Sequence, residues 1–181
     1  MVRSGRLDCL RALLLATMLP IAGCGFHPLY ASASGGGAGP AQAGLAQISV
    51  DLIPERAGQL LREALQERLE RNGLSVMHRY DLAVTFSMSG EGIAIQPDTS
   101  NARVRFIGTA TYQLRAQDPV RTVLTSGTAR SVDGLNVFDQ QLFAADMETE
   151  VVTQRIAQSI ADEITQQLAV YFDRQTALAA H

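Results

Sequence analysis

Histidine and cysteine, which often carry catalysis or bind metals, are scarce in this sequence of 181 residues. The three histidines, His27, His78 and His181, are far apart and predict neither an acid/base pair nor a metal cluster. Acidic residues are common, but they lie on predicted helix faces and in turns, where solvated charge is their ordinary role. No glycine-rich phosphate loop stands between a predicted strand and a helix. These absences argue against an enzyme, a cofactor and a metal site.

The N-terminal region also lacks a hydrophobic run long enough to cross a bilayer. Its apolar run, residues 12–22, is well short of the roughly 20 residues of a transmembrane helix, and three arginines precede it. This pattern predicts a lipoprotein signal peptide over residues 1–23. Ile21-Ala22-Gly23-Cys24 matches a bacterial lipobox, which predicts lipidation of Cys24. An ordinary signal peptide with a coincidental Cys24 near the cleavage site is the alternative.

Without the signal peptide the chain offers no free thiol, because Cys9 is removed and Cys24 carries the lipid. The remaining 12 arginines and 17 acidic residues give a net charge of −5, which does not favour nucleic acid as a partner. The chain is long enough for one domain with its own core and short for two.

Composition divides the mature chain into three parts. Small residues without apolar periodicity at 31–44 predict a flexible tether, and we assign residues 24–46 to the lipidated N-terminus and this tether. Residues 47–176 are predicted to form a single α/β domain. Residues 177–181 are assigned to a disordered tail.

Hydrophobic periodicity predicts the order βαβββα within the domain. The predicted strands are 47–52, 81–89, 103–115 and 121–132, with a loop at 90–102 and Asp133-Gly134 ending the sheet; the predicted helices are 55–72 and one that starts between 138 and 147 and ends near 172. Glu163 and Gln167 fall on the polar side of the last helix. We therefore predict an α/β (α+β) fold in which two helices pack on one face of a mixed four-stranded sheet. The other face is left open.

Arginine is placed on the open face of this predicted sheet. Arg103, Arg105 and Arg115 share the outward side of the third strand, and Arg130 lies on the fourth. A guanidinium fits phosphate well, so these residues are candidate contacts for an anionic group. Ordinary solvating charge is the alternative. All 15 basic residues of the chain are arginine, which makes arginine at any one position less informative.

The residues around Cys24 resemble the start of a known family. The stretch Gly23-Cys24-Gly25-Phe26-His27-Pro28-Leu29-Tyr30 is similar to the GCGF-x-PLY start of the LptE-like lipoproteins, which also share the order βαβββα. The resemblance implies a palmitate-bearing, lipid-anchored protein on the periplasmic side of the Gram-negative outer membrane. Its partners would be the LptD β-barrel, which it plugs and helps to assemble, and lipopolysaccharide, which it helps to deliver to the outer leaflet.

The resemblance also points to a contact with lipopolysaccharide phosphate at the end of the 90–102 loop. In the family, a basic residue is expected at this loop end, but this chain has Ser100-Asn101-Ala102 there. Arg103 and Arg105, which follow in the sequence, are therefore the candidate contacts. The alternative function is that of a periplasmic lipid-binding auxiliary lipoprotein of an ABC-type lipid transport system. An envelope hydrolase would need an acid/base site that the sequence does not offer.

Overall fold

The computed structural model of the protein describes residues 39–70, 77–95, 101–138 and 142–179. Within these stretches the elements are, in chain order, α1 (Pro40–Leu45), β1 (Ile48–Val50), α2 (Glu55–Leu69), β2 (Tyr80–Ile95), β3 (Asn101–Ala116), β4 (Val123–Phe138) and α3 (Leu142–Ala179). The predicted order βαβββα is confirmed. It is preceded by a short helix, α1, that the sequence did not predict.

The described strands form one mixed sheet in the order β1-β2-β3-β4. β1 and β2 run parallel, and β2, β3 and β4 pair antiparallel. The parallel pair is possible because α2 carries the chain back across the sheet between β1 and β2. α2 and α3 pack against each other and against the same face of the sheet, as predicted.

The hydrophobic core lies between this face and the two helices. The buried strand residues alternate with exposed ones, which confirms the period of two predicted for the strands. In α3 the buried residues recur at three- and four-residue spacing, as expected for an amphipathic helix. The core members that show these two patterns are Leu82, Val84, Ala110, Tyr112, Leu114, Val152, Ile156, Ile160, Ile164 and Leu168.

Two arginines of α2 join it to α3. Arg56, near the start of α2, donates to Glu150 at 2.8 Å in a solvent-exposed ion pair. Arg68, near the end of α2, is more buried and bonds both to Asp162 and to the carbonyl oxygen of Gln158. The hydrogen bond to Asp162 raises the pKa of Arg68, because it stabilises the charged guanidinium. The two contacts show that α2 and α3 run side by side in the same direction.

Residues 40–45 form α1, which corrects the C-terminal end of the tether predicted over 24–46. Ala41 and Leu45 are buried in the core. Gly44 lies so close to α3 that a Cβ at this position would be 2.5 Å from the ring of Phe172. Leu45, just beyond the small residues at 31–44, lies four residues after Ala41, so the two buried residues share one side of α1. The rest of the predicted tether and the predicted signal peptide lie outside the described residues.

The loop predicted at residues 90–102 is largely strand. β2 continues to Ile95 through an irregularity between Gly92 and Ala94, and β3 begins at Asn101. Glycine favours turns in isolation, but pairing with the neighbouring strand outweighs this local preference. The part of the predicted loop between the two strands lies outside the described residues.

The C-terminal boundaries of the sheet and of α3 also differ from the prediction. β4 continues to Phe138, past Asp133-Gly134, which was expected to end the sheet. At Gly134 the backbone approaches β3 so closely that a Cβ would lie 3.0 Å from the carbonyl oxygen of Val104, so glycine serves packing here. α3 continues to Ala179, and the tail predicted at 177–181 is therefore helical through residue 179.

Candidate functional site: the open sheet face and its arginine corner

Arg103 and Arg105 lie near the start of β3, on the face of the sheet that the helices leave open. Arg105 is opposite Glu91 of β2, and its Nη2 atom is 2.7 Å from Glu91 Oε2, with both side chains about half exposed. Arg103 is exposed and forms no ion pair with another described residue. The structure thus brings both arginines to one corner of the open face, which we call the arginine corner. Of these two arginines, only Arg105 is paired with a described carboxylate.

Glu91 is a member of this corner that the sequence analysis missed. It fell inside the predicted loop, where its direction could not be assigned. The signal was present, however, because Ser87, Ser89 and Glu91 continue the alternation of outward-facing residues along β2. Continuing the strand by two residues would have placed Glu91 beside Arg105.

Serine and threonine occupy the middle of the open face. They form two neighbouring rows across the strands, and their hydroxyl groups can both donate and accept hydrogen bonds. Arg130 extends one of these rows, while Arg115 lies toward the other end of β3 and donates to Gln113 at 2.7 Å. The face therefore suits contact with a polar, hydrated surface. The members of the two rows are Thr85, Ser87, Thr109, Thr111, Thr128 and Arg130.

An apolar groove lies at the same end of the sheet as the arginine corner, but on the helix side. It has a volume of about 440 Å³ and runs between the end of β4 and the first turns of α3. Met147 and Val151 line it and are 76% and 50% exposed, which is high for such side chains. Arg155 borders the groove and donates to Asp133 at 2.7 Å. One end of the domain thus presents cationic and apolar surface on opposite faces.

The carboxylates with well-defined partners have structural roles. Asp81, which is 7% exposed, accepts a hydrogen bond from Gln117 at 2.8 Å and lies 3.5 Å from the Arg121 guanidinium. Asp118 accepts hydrogen bonds from the hydroxyl and amide of Thr122, which lower the pKa of Asp118 and fix the turn between β3 and β4. Across the described stretches, no three His, Cys, Asp or Glu residues are grouped to hold a metal ion. None of the helices described is both long and apolar enough to span a membrane.

Comparison with known families decides how this domain is classified. The family model described as LptE, Lipopolysaccharide-assembly, matches residues 45–168, which is more than half of the chain. The chain belongs to the LptE family. The matched region runs from the last residue of α1 into α3 and so includes the whole sheet and α2. The resemblance seen at the N-terminus is therefore confirmed by residues that do not overlap with it.

Solved structures share the fold of this LptE family member. A protein described as a lipoprotein from Caulobacter crescentus CB15 superposes with a TM-score of 0.59 at 20% identity, covering 74% of this chain and 96% of that one. Rare lipoprotein B from Shewanella oneidensis gives a TM-score of 0.52 at 16% identity, with 75% and 99% of the two chains covered. A minor lipoprotein from Acinetobacter baumannii gives 0.52 at 18% identity, with 68% and 91% covered. No curated protein matches the sequence.

Proposed function

We propose that this LptE family member is an outer-membrane lipoprotein that plugs an LptD β-barrel, assists its assembly and takes part in delivering lipopolysaccharide to the outer leaflet. The observation that carries the proposal is the family match across the whole sheet and α2. In this proposal the signal peptide at residues 1–23 is removed and Cys24 bears the acyl chains, which hold the domain on the periplasmic side of the outer membrane. The protein acts by binding and not by catalysis.

The open face of the sheet supports a position inside a barrel. The lumen of a large outer-membrane barrel is polar and wet, and the hydroxyl-bearing middle of the open face matches such a wall. The opposite face of the sheet is already covered by α2 and α3. The domain can therefore contact a hydrated wall through its open face without exposing its core.

The end that carries the arginine corner supports a contact with an amphiphile. Lipopolysaccharide combines phosphate groups with acyl chains, and this end offers guanidinium groups on one face and an apolar groove on the other. Arg103 is the stronger candidate for the phosphate, because Arg105 is already paired with Glu91. A phosphate must displace Glu91 before it can use Arg105 fully.

Co-purification tests the partner. The lipidated full chain, isolated from outer membranes in mild detergent, is expected to bring down a large β-barrel of the LptD type in a one-to-one complex. Depletion of the chain is expected to lower both correctly assembled LptD and surface lipopolysaccharide. Recovery of the chain without a barrel, together with unchanged levels of both products after depletion, would refute the proposal.

Arg103→Ala is expected to weaken binding of lipopolysaccharide to the full chain about tenfold, since it removes a charge-assisted hydrogen bond. Arg105→Ala is expected to weaken binding about threefold or less, because Glu91 already neutralises that charge. Titration with fluorescently labelled lipopolysaccharide measures both. Arg174→Ala, an equal loss of exposed charge near the end of α3, is the control and should leave binding unchanged.

Dephosphorylated lipopolysaccharide serves as the second ligand in this comparison. Wild type and Arg103→Ala should bind it with the same affinity, since the lost interaction is with phosphate. An equal loss of affinity in Arg103→Ala and Arg174→Ala would assign the effect to overall charge and remove Arg103 from the site.

A further inference from the structure

β4 is the one long strand at an edge of the described sheet. Its 16 residues have a neighbour only on the β3 side, whereas β1, at the other edge, has three residues. A long edge strand presents a row of backbone N–H and C=O groups to which another strand can add. Natural sheets block such addition with proline, charged residues or a covering element. β4 contains no proline, and its only charged residues are Arg130 and Asp133, of which Asp133 is paired with Arg155 of α3.

Side chains of α3 cover the middle of this edge. Glu163 Oε2 accepts a hydrogen bond from the backbone N–H of Arg130 at 3.1 Å, and Gln167 Nε2 donates to the backbone oxygen of Thr128 at 3.2 Å. The two side chains are joined to each other, because Gln167 Nε2 also lies 3.2 Å from Glu163 Oε1. We call Glu163 and Gln167 the edge guard. They occupy the backbone groups that a fifth strand would need at this point.

A buried residue on the helix-covered face of the sheet holds the edge guard in place. Tyr112 of β3 is 3% exposed, yet its hydroxyl donates to Gln167 Oε1 at 2.8 Å. The hydroxyl reaches the edge through a gap at Gly127, where a Cβ would lie 2.7 Å from both Tyr112 Oη and Gln167 Oε1. Burial, together with the nearby Glu163 carboxylate, raises the pKa of Tyr112, so the hydroxyl stays protonated and able to donate. A buried tyrosine, a strand glycine and two helix side chains thus act on one stretch of backbone.

We propose that the edge guard prevents β4 from pairing with β4 of a second copy of this chain. Identical strands can pair antiparallel about a two-fold axis, which gives a closed dimer. A register centred on Ala129 would set Thr128 opposite Arg130 and Ser126 opposite Val132, so no like charges would face each other. The guarded groups of Thr128 and Arg130 are at the centre of this register. The edge guard therefore occupies the central hydrogen-bonding groups of this register. This proposal does not depend on the proposed function.

The test is the oligomeric state of the full chain in detergent, with micelles in large excess over protein. Wild type is expected to sediment as a monomer and Glu163→Ala/Gln167→Ala as a dimer. At low protein concentration, hydrogen exchange of the Arg130 amide should be about tenfold faster in this variant, because its acceptor is gone. Gln154→Ala/Gln166→Ala removes two exposed polar side chains from the same helix and should change neither measurement.

Adding Val132→Pro identifies the surface through which the variant dimerises. Val132 lies two residues after Arg130, so its N–H also points away from β3, and proline removes it without breaking the ladder to β3. The triple variant is expected to return to a monomer. A folded Glu163→Ala/Gln167→Ala variant that stays monomeric, or a dimer that persists with Val132→Pro, would overturn the proposal. If the double variant does not fold, an Arg130 amide in wild type that exchanges as fast as that of Val132 would overturn it equally.

Discussion

Gly108→Val is expected to lower the free energy of unfolding by about 3 kcal/mol or more. Gly108 is buried in the middle of β3, directly under α3. A Cβ at this position would overlap the side chain of Ile156 and lie 3.1 Å from both Ile160 Cδ1 and Phe86 Cε2. Ile156 and Ile160 are fully buried, and close packing of a protein interior leaves such side chains little room to move. Valine can therefore be accommodated only if α3 lifts away from the sheet.

Gly92→Val is the matched control for this change. Gly92 is also a strand glycine, but a Cβ there would meet no atom within 4 Å, and its φ is not positive. The cost is expected to stay within about 0.5 kcal/mol. Urea unfolding followed by circular dichroism measures both variants. A similar loss of unfolding free energy at the two positions would mean that both glycines are needed for their backbone conformation. That result would contradict the role assigned to the contact between Gly108 and α3.

The sequence predicts those features of the fold that follow from a repeated local pattern. Alternation assigned Leu82, Val84 and Leu114 to the core face and Arg103 and Arg105 to the other, and their burial agrees. These predictions succeed because a shift of one residue would move every apolar side chain of the strand from the core to the solvent. The alternation of apolar and polar residues therefore determines which face of the strand is buried. The same reasoning applies to the buried stripe of α3.

Features that depend on distant contacts were missed. α1 was missed because it adjoins a stretch of small residues. Pro40 suits the first position of a helix, and Ala41 and Gln42 favour helix, but the order of α1 also depends on the packing of Gly44 against Phe172 and the burial of Leu45. The ends of β2 and β4 contain glycine and aspartate, whose local preference for turns is outweighed by pairing with β3. The partners of Gly44, Gly92 and Gly134 are Phe172, Val104 and Arg105, respectively, each at least 12 residues away in the sequence. Local periodicity contains no information about such partners.

The candidate sites show the same limit. The arginines of the open face were predicted, but the pairing of Arg105 with Glu91 was not, because it depends on the register between two strands. Glu163 and Gln167 were assigned to the polar side of the last helix, which is correct as far as hydrophobicity goes. Their contact with the β4 backbone reflects the position of α3 near the edge of the sheet. A polar side chain can form hydrogen bonds either with water or with the unpaired backbone groups of an edge strand. Polarity alone does not show which of the two it contacts.

The predicted anchor limits how far the domain can lie from the membrane. Fifteen residue steps separate Cys24 from Gly39, the first described residue, and a chain of this length spans at most about 50 Å. Because α1 is packed against Phe172 near the end of α3, this limit also applies to that end of the domain. A lipid at Cys24 would thus limit the distance between the membrane and the end of the domain that contains Tyr80 and Phe172, and the arginine corner lies at the other end of β2 and β3.

Cys24→Ser is expected to abolish labelling of the full chain by radioactive palmitate and to leave the lipoprotein precursor unprocessed. Each buried CH2 group of an acyl chain contributes about 0.8 kcal/mol to membrane binding, so a Cys24→Ser chain produced from residue 24 onward, without the apolar signal segment, should partition into the membrane about a thousandfold or more weakly than the acylated wild type. Labelling is measured in growing cells, and partitioning is measured with purified protein and phospholipid vesicles. The purified protein is needed because a barrel partner could retain the unlipidated chain in the outer membrane.

Cys9→Ser is the control, since it changes the only other cysteine and leaves Cys24 in place. Labelling and processing should match wild type, because the lipid is transferred to the cysteine of the lipobox and not to one inside the signal peptide. Full labelling of Cys24→Ser, or its loss in Cys9→Ser, would place the lipid elsewhere and make Gly23-Cys24 an ordinary cleavage region. Loss of labelling with retained LptD binding would instead separate the two halves of the proposal, with the lipid fixing the location and the domain binding the barrel.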